Sequence, residues 1–193
     1  MSEVVLYHHV QGLTEGVRSF ADELRQAGHT VHTPDMFEGR TFGSIEDGMA
    51  FAREEGFEAL AERAVAAAEQ VGPGAVYAGF SFGVIPAQKL AQTRTDAGGA
   101  LLMYSCLPVS EFGDAWPDEV PVQVHGAEND PFFLEDIEFA RELVDSAEQA
   151  ELFLYPGEDH YFADSSLPTY DAEAAALLME RVQAFLDAVP AAN

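Results

Sequence analysis

The chain has 193 residues, of which 48% are hydrophobic, and 34 acidic against 9 basic side chains give it a formal net charge of −25. This length suits one domain, spanning 1–193, with a full hydrophobic core, and the composition argues against disorder. Such a negative surface repels nucleic acid and anionic membranes, so neither is expected as a partner.

The start of the chain and its single cysteine bear on where the protein resides. Glu3 stands where a signal peptide carries positive charge, and no segment approaches the ~18 consecutive apolar residues that a membrane span needs. Cys106 has no partner for an internal disulfide, because it is the only cysteine. These features predict a cytoplasmic protein.

Apolar runs alternate along the chain with segments of helical periodicity. Strands are predicted at 4–7, 29–33, 74–78, 99–104, 120–125 and 151–155. Helices are predicted at about 13–27, from Ser44 onward, and at about 57–70, 82–95, 135–149 and 170–189. Strands that are apolar nearly throughout indicate an α/β fold, in which helices cover both faces of a mostly parallel sheet of about six strands. Functional groups are therefore expected in the loops that follow the strands.

The segment Gly79-Phe80-Ser81-Phe82-Gly83 lies between an apolar strand and an amphipathic helix. A sharp strand-to-helix turn strains its central residue, and glycines two positions on either side remove side chains that would collide. The Ser81 hydroxyl then projects above the sheet edge, where the N–H of Phe82 and the helix dipole favour a developing oxyanion. Ser81 is the predicted nucleophile; the alternative is a packing turn with an incidental serine.

A serine nucleophile needs a base, and His160 is the best placed of the six histidines. It follows the sixth predicted strand and is C-terminal to Ser81, as the chain order serine, acid, histidine requires. The acid that orients the imidazole is expected after the fifth strand, where Asp130 is the first choice and Glu128 the alternative.

Several segments together carry a family resemblance: Leu6-Tyr7-His8-His9-Val10-Gln11-Gly12-Leu13, 28–40, 78–83, His125-Gly126 with Asp130-Pro131, and 160–163. On these residues the chain resembles the dienelactone hydrolase family of the α/β-hydrolase superfamily over nearly its whole length. The resemblance implies triad roles for Ser81, Asp130 and His160, and makes the N–H of Val10 a second oxyanion donor beside that of Phe82. It also implies a minimal sheet that lacks the first two strands of larger hydrolases.

The chain differs from the dienelactone-cleaving members of that family at three positions. Ser81 replaces their cysteine nucleophile, His9 replaces a glutamate that helps to control the thiol, and Asp164 replaces an arginine that pairs with the substrate carboxylate. A carboxylate repels a carboxylate, so neutral substrates are expected rather than anionic ones.

Aromatic residues flank the proposed acid and base. His9, Phe132, Tyr161 and Phe162 are expected to line a substrate pocket, although packing in the core explains these aromatic residues and Phe133 equally well. Cys106, after the fourth strand, is interpreted as a small buried side chain rather than a second nucleophile. Trp116 belongs either to a lid or to a packed loop.

No cofactor or metal is expected. His8 and His9 are adjacent and point to opposite sides of a strand, with no third ligand at a recognisable spacing, and the 79–83 turn lacks the lysine of a phosphate-binding loop. The sequence thus predicts a serine hydrolase, a monomer or a homodimer, that cleaves small esters or lactones; thioesters need the same groups. Two alternatives stay open: an inactive hydrolase-like binding domain and a flavodoxin-like mononucleotide binder.

Overall fold

A computed structural model describes residues 1–189, and its centre is a six-stranded sheet. The strands are β1 (Glu3–Tyr7), β2 (Thr30–His32), β3 (Val76–Phe80), β4 (Gly99–Met103), β5 (Val122–Ala127) and β6 (Ala150–Tyr155). They pair in the order β2-β1-β3-β4-β5-β6, and every pairing is parallel. The parallel α/β sheet predicted from the sequence is confirmed.

Residues 1–189 also form six α-helices, of which the first five lie between strands and the last follows β6: α1 (Glu15–Gln26), α2 (Ile45–Glu55), α3 (Phe57–Ala67), α4 (Val84–Thr93), α5 (Pro131–Ser146) and α6 (Ala172–Ala188). Polar side chains begin several of them. Ser44, predicted as the start of a helix, accepts a hydrogen bond from the Asp47 N–H at 3.1 Å and caps α2. Thr14 caps α1 and Asp171 caps α6 in the same way.

The core is divided into two layers, one on each face of the sheet. In β1, Val5 and Tyr7 belong to the layer that also contains residues of α2, α3, α4 and α5, while Val4 and Leu6 belong to the layer that contains residues of α1 and α6. Successive residues of a strand point to opposite faces, so a strand covered on both sides must be apolar throughout. The run of residues without polar alternation is thus a direct consequence of burial on two faces.

The sheet order reverses direction beside β1. The chain moves from β1 outward to β2 and then returns to place β3 on the other side of β1, with Tyr7 opposite Gly79. Loops leaving two such strands diverge, and the crevice between them is where α/β sheets bind ligands. Here the two loops are those that contain Val10 and Ser81.

The largest error in the predicted elements is the start of α5. The sequence placed this helix at 135–149, whereas it begins at Pro131 and ends at Ser146. Asp130 accepts a hydrogen bond from the Phe132 N–H at 2.9 Å, and Pro131 occupies the first turn, where its missing N–H costs nothing. The predicted β5 also ends at His125, two residues before the observed end at Ala127.

The loop before β5 is packed against the protein. Trp116 is buried and donates a hydrogen bond to the Val120 carbonyl at 2.7 Å, so it belongs to a packed loop rather than a lid. Within residues 1–189 no helix is both long enough and apolar enough to span a bilayer.

Because two histidines are buried, we expect the free energy of unfolding to fall on mild acidification. Burial lowers the pKa of His125 to about 3 and that of His8 to about 4, from an ordinary value of 6.5. Between the folded pKa of each histidine and the unfolded value of 6.5, the unfolded chain binds a proton that the folded chain does not. Each such proton removes about 1.4 kcal/mol of unfolding free energy per pH unit as the pH falls. His125→Gln should therefore lose less unfolding free energy than the wild type between pH 7 and pH 5, measured by urea denaturation. Equal losses in the two proteins would contradict this explanation.

Candidate active site

Ser81 lies where β3 meets a short 3₁₀ turn, Ser81–Gly83, that leads into α4. Its backbone has a φ of +50°, in the left-handed region that a residue with a side chain occupies only when the fold enforces it. A Cβ atom at Gly79 would collide with the Gly83 backbone. The tight contact between these two glycines therefore closes the turn that presents the serine.

The three predicted catalytic side chains lie together. The Ser81 Oγ is 2.9 Å from the Nε2 atom of His160, and the Nδ1 atom of His160 is 2.5 Å from the Oδ2 atom of Asp130. In this arrangement Nδ1–H donates to the carboxylate, which leaves Nε2 free to accept the serine proton. The geometry is compatible with a Ser-His-Asp triad.

Asp130 is fixed from two sides. It is fully buried, and while one carboxylate oxygen accepts from His160, the other accepts the Phe132 N–H at the start of α5. The first turn of α5 thus sets the orientation of the carboxylate. Glu128, the alternative acid, is exposed.

The two expected oxyanion donors border the same cavity as the serine. The Val10 loop follows β1 and Phe82 directly follows Ser81, and both residues line a cavity of about 620 Å³ that reaches Ser81 and His160. The pairing of Tyr7 with Gly79 keeps these two loops side by side.

The cavity has a largely apolar lining and an acidic rim, which the exposed residues Glu46 and Glu135 form. Its apolar lining consists of Val10, Ile45, Met49, Phe82, Ile85, Leu107 and Phe132. Three carboxylate side chains, Glu46, Glu135 and Asp136, also line it, against one cation, Arg53. A cavity with this lining suits an uncharged molecule with apolar groups.

The predicted pocket residues divide into two groups. Phe132 and Tyr161 line the cavity, and their rings lie 4.9 Å and 4.5 Å from the His160 ring, centroid to centroid. Phe162 packs instead into the core against Tyr155, and His9 lies behind Tyr161. The prediction of pocket contacts for His9 and Phe162 is therefore corrected. The loop after β6 turns Phe162 into the core, and His9, in the loop after β1, is covered by Tyr161 and bonded to Asp164.

Asp164 is also turned away from the cavity. Only 4% of the residue is exposed, and its Oδ2 atom accepts hydrogen bonds from His9 Nε2 at 2.8 Å and from the Thr14 hydroxyl at 2.5 Å. The hydroxyl and N–H of Ser166 reach the other oxygen at 2.6 Å and 2.9 Å. Burial alone would raise the pKa of Asp164, but these hydrogen bonds lower it to about 2. The expectation that Asp164 faces a substrate carboxylate is therefore corrected: its charge is satisfied within the protein.

Sequence analysis missed several residues that line the cavity. Asp136 on α5 accepts a hydrogen bond from the Ser105 hydroxyl at 2.6 Å, and its pKa is raised by burial. Ser105 follows β4, at the edge where polar residues were expected, but a lone serine there gives no further signal. Ile45 and Met49 from α2 close another side, and their spacing of four residues is equally typical of any buried helix.

Cys106 is fully buried and does not line the cavity, as its interpretation as a packed side chain requires, and burial raises its pKa to about 12. His8 is held within the protein, where its Nδ1–H donates to the His9 carbonyl at 2.7 Å and its Nε2 accepts the Met36 N–H at 3.0 Å. Across residues 1–189 no group of three or more His, Cys, Asp or Glu side chains is arranged to bind a metal ion.

The dienelactone hydrolase family model matches residues 1–189. The chain therefore belongs to the dienelactone hydrolase family, and the resemblance seen in the sequence is confirmed. This assignment also places the sheet among α/β hydrolases rather than flavodoxin-like proteins. Comparison with curated proteins gave no significant match.

Solved structures agree with this fold at low sequence identity. A dienelactone hydrolase-like promiscuous phosphotriesterase from metagenomic libraries has a TM-score of 0.74 and 20% identity, with 98% of this chain and 87% of that chain covered. A dienelactone hydrolase from Anabaena variabilis has a TM-score of 0.67 and 15% identity, with coverages of 99% and 88%. Mouse alpha/beta hydrolase domain-containing protein 10 has a TM-score of 0.65 and 12% identity, with coverages of 96% and 89%. At these identities the likeness establishes the fold alone.

The serine turn predicts an unusual response to a glycine substitution. Alanine normally stabilises a helix relative to glycine, but a Cβ atom at Gly83 would lie 2.5 Å from the Tyr7 carbonyl oxygen and 2.7 Å from that of His8. Gly83→Ala should therefore reduce the free energy of unfolding by at least ~2 kcal/mol in urea denaturation. Gly43→Ala is the matched control, because nothing lies within 4 Å of its added carbon. Similar stabilities for the two variants would refute the close approach at the turn.

Proposed function

We propose that this protein is a serine hydrolase that cleaves small neutral esters or lactones through an acyl-enzyme on Ser81. The observation that carries the proposal is the continuous hydrogen-bonded chain from the Ser81 hydroxyl through His160 to Asp130, with distances of 2.9 Å and 2.5 Å. Its position on a hydrolase-family sheet, at the reversal of strand order, supports the same conclusion.

The acylation step follows from this chain of hydrogen bonds. The Ser81 Oγ attacks the carbonyl carbon while its proton passes to His160 Nε2, and the carbonyl π electrons move to oxygen. The Asp130 carboxylate stabilises the imidazolium without taking a proton from it. The backbone N–H groups of Val10 and Phe82 hold the oxyanion. When the intermediate collapses, the carbon–oxygen bond to the alcohol breaks and the alcohol oxygen takes the proton from His160.

Deacylation repeats these steps with water. His160 removes a proton from a water molecule, which attacks the carbonyl carbon of the acyl-Ser81 ester. Collapse of the second intermediate releases the carboxylic acid and returns the proton to the Ser81 oxygen. A thioester substrate would use the same groups, with a thiol as the first product.

The acidic rim supports a preference for neutral substrates. Glu46, Glu135 and Asp136 border the cavity, and Arg53 is the one cation among the residues that line it. The proposed preference therefore rests on these carboxylates. The sequence had suggested Asp164 for this role. A cytoplasmic location remains a prediction from the sequence.

The triad predicts a specific pattern of activity losses. Ser81→Ala should reduce kcat/KM for p-nitrophenyl acetate by about 10⁴-fold or more, and Asp130→Asn by about 10⁴-fold, because the amide favours the wrong imidazole tautomer. A fluorophosphonate probe should label the wild type on Ser81, label His160→Gln slowly, and leave Ser81→Ala unlabelled. Glu128→Gln is the matched acidic control and should keep full activity. Activity that survives in Ser81→Ala would refute the mechanism, and a folded wild type that neither turns over esters nor labels would identify an inactive binding domain.

The rim predicts a charge preference that substitution can change. At pH 7.5, kcat/KM for methyl butyrate should exceed that for the anionic monomethyl succinate by at least ~10-fold. The double variant Glu46→Gln/Glu135→Gln should reduce this ratio by about threefold, with a smaller change at high salt, because rim charges are screened. If the ratio is the same in wild type and variant, these carboxylates do not select the substrate.

A further inference from the structure

Tyr161 directly follows His160 and lines the cavity that contains the proposed reacting groups. The residue is 2% exposed and lines the cavity together with Ser81, Val10 and Phe82. Its ring centroid lies 4.5 Å from that of His160. Burial raises the pKa of Tyr161, and the neighbouring Ser81 side chain and Val10 backbone act in the opposite direction. Tyr161 therefore borders the same part of the cavity as the nucleophile and one expected oxyanion donor.

The Tyr161 ring is held from behind by a buried histidine. The His9 imidazole stacks on it with a centroid distance of 4.1 Å and an interplanar angle of 14°. His9 is 1% exposed; its Nδ1 accepts the Gln11 N–H at 3.2 Å, and its Nε2 donates to Asp164 at 2.8 Å. Both ring nitrogens are thus occupied, and the imidazole is fixed in one orientation.

Asp164 fixes this histidine as Asp130 fixes His160. It receives hydrogen bonds from Thr14, which caps α1, and from Ser166, so the carboxylate is anchored to two other segments of the chain. A buried carboxylate with this many donors is a rigid support. The active site therefore contains two buried His–Asp pairs, of which one contacts the nucleophile and the other supports Tyr161.

We propose that the Tyr161 hydroxyl is a third hydrogen-bond donor to the oxyanion, and that the His9–Asp164 pair is a positioning unit that holds it there. The role rests on the proposed hydrolysis at Ser81. An oxyanion formed on carbon bonded to Ser81 Oγ, and bound by the Val10 N–H, lies in the cavity that Tyr161 also lines. In the intermediate, the Tyr161 O–H donates to this new negative charge.

The environment of Tyr161 suits a donor rather than an acid. Because burial raises its pKa, the hydroxyl keeps its proton at neutral pH and stabilises the oxyanion by hydrogen bonding alone. The neutral His9 ring beneath it, with a pKa lowered by burial, adds no positive charge that would ionise the phenol. No proton transfer through Tyr161 is therefore needed in either half of the reaction.

The decisive variant removes the hydroxyl and keeps the ring. Tyr161→Phe should lower kcat for p-nitrophenyl acetate by about 10- to 100-fold, within the range for loss of one oxyanion donor, while KM changes less than about twofold. The rate of fluorophosphonate labelling at Ser81 should fall by a similar factor, because phosphonylation develops charge at the same place. Tyr170→Phe, at a tyrosine that is 43% exposed, is the matched control and should change neither rate.

The positioning role of the second pair is tested by a double-mutant cycle. Asp164→Asn should lower kcat by about three- to tenfold in the wild type but less than about twofold in the Tyr161→Phe background, because its effect passes through the hydroxyl. Asp22→Asn, at an exposed carboxylate on α1, is the control for the change of charge. Equal losses in the two backgrounds would overturn the positioning role and assign Asp164 to stability alone.

The outcomes for Tyr161 separate this inference from the proposed function. An active wild type with an unchanged kcat in Tyr161→Phe overturns the donor role while leaving the triad mechanism intact. A loss that appears entirely in KM also overturns it, since a donor to the intermediate acts on kcat. A wild type that neither hydrolyses esters nor labels at Ser81 overturns the proposed function and, with it, the role of Tyr161.

Discussion

The hydrogen bond between the Ser81 hydroxyl and His160 joins parts of the chain that are 79 residues apart. The order and direction of the strands bring these two residues together. Parallel strands end at the same edge of a sheet, so the residues that follow β3, β5 and β6 share one rim even though helices separate them in sequence. The strained turn at Ser81 lifts its oxygen above that rim. The helix cap at Asp130 places the carboxylate beside it.

Charge is distributed around this site in two distinct ways. Glu46 and Glu135 line the cavity and are exposed, so water and salt reach them, and the proposed preference for neutral substrates depends on their charge. Asp164, by contrast, is buried and satisfied by four donors, so its charge is directed inward to His9. Burial thus separates a carboxylate that can act on a bound molecule from one that is neutralised within the protein.

The sequence was sufficient to predict the sheet and to select Ser81, His160 and Asp130, whose side chains the structure brings together, because both predictions depend on local patterns. Strands buried on two faces are apolar throughout, and the serine turn needs glycines at fixed positions. The start of α5 was predicted late because Asp130 was interpreted only as a loop carboxylate, although aspartate before proline is also a helix cap. The direction of Asp164 and His9 could not be predicted, since it depends on how the loop after β6 packs against α1, a contact between residues about 150 positions apart.

In the proposed mechanism, the substrate acyl group becomes covalently bound to the oxygen of residue 81. The most direct measurement is acid quenching of the protein during turnover of a slowly deacylating p-nitrophenyl ester, followed by intact mass and peptide mapping. We predict a mass increase of one acyl group, located on the peptide that contains Ser81 and abolished in Ser81→Ala. Sustained hydrolysis with no adduct, or with the adduct on another residue, would contradict this mechanism.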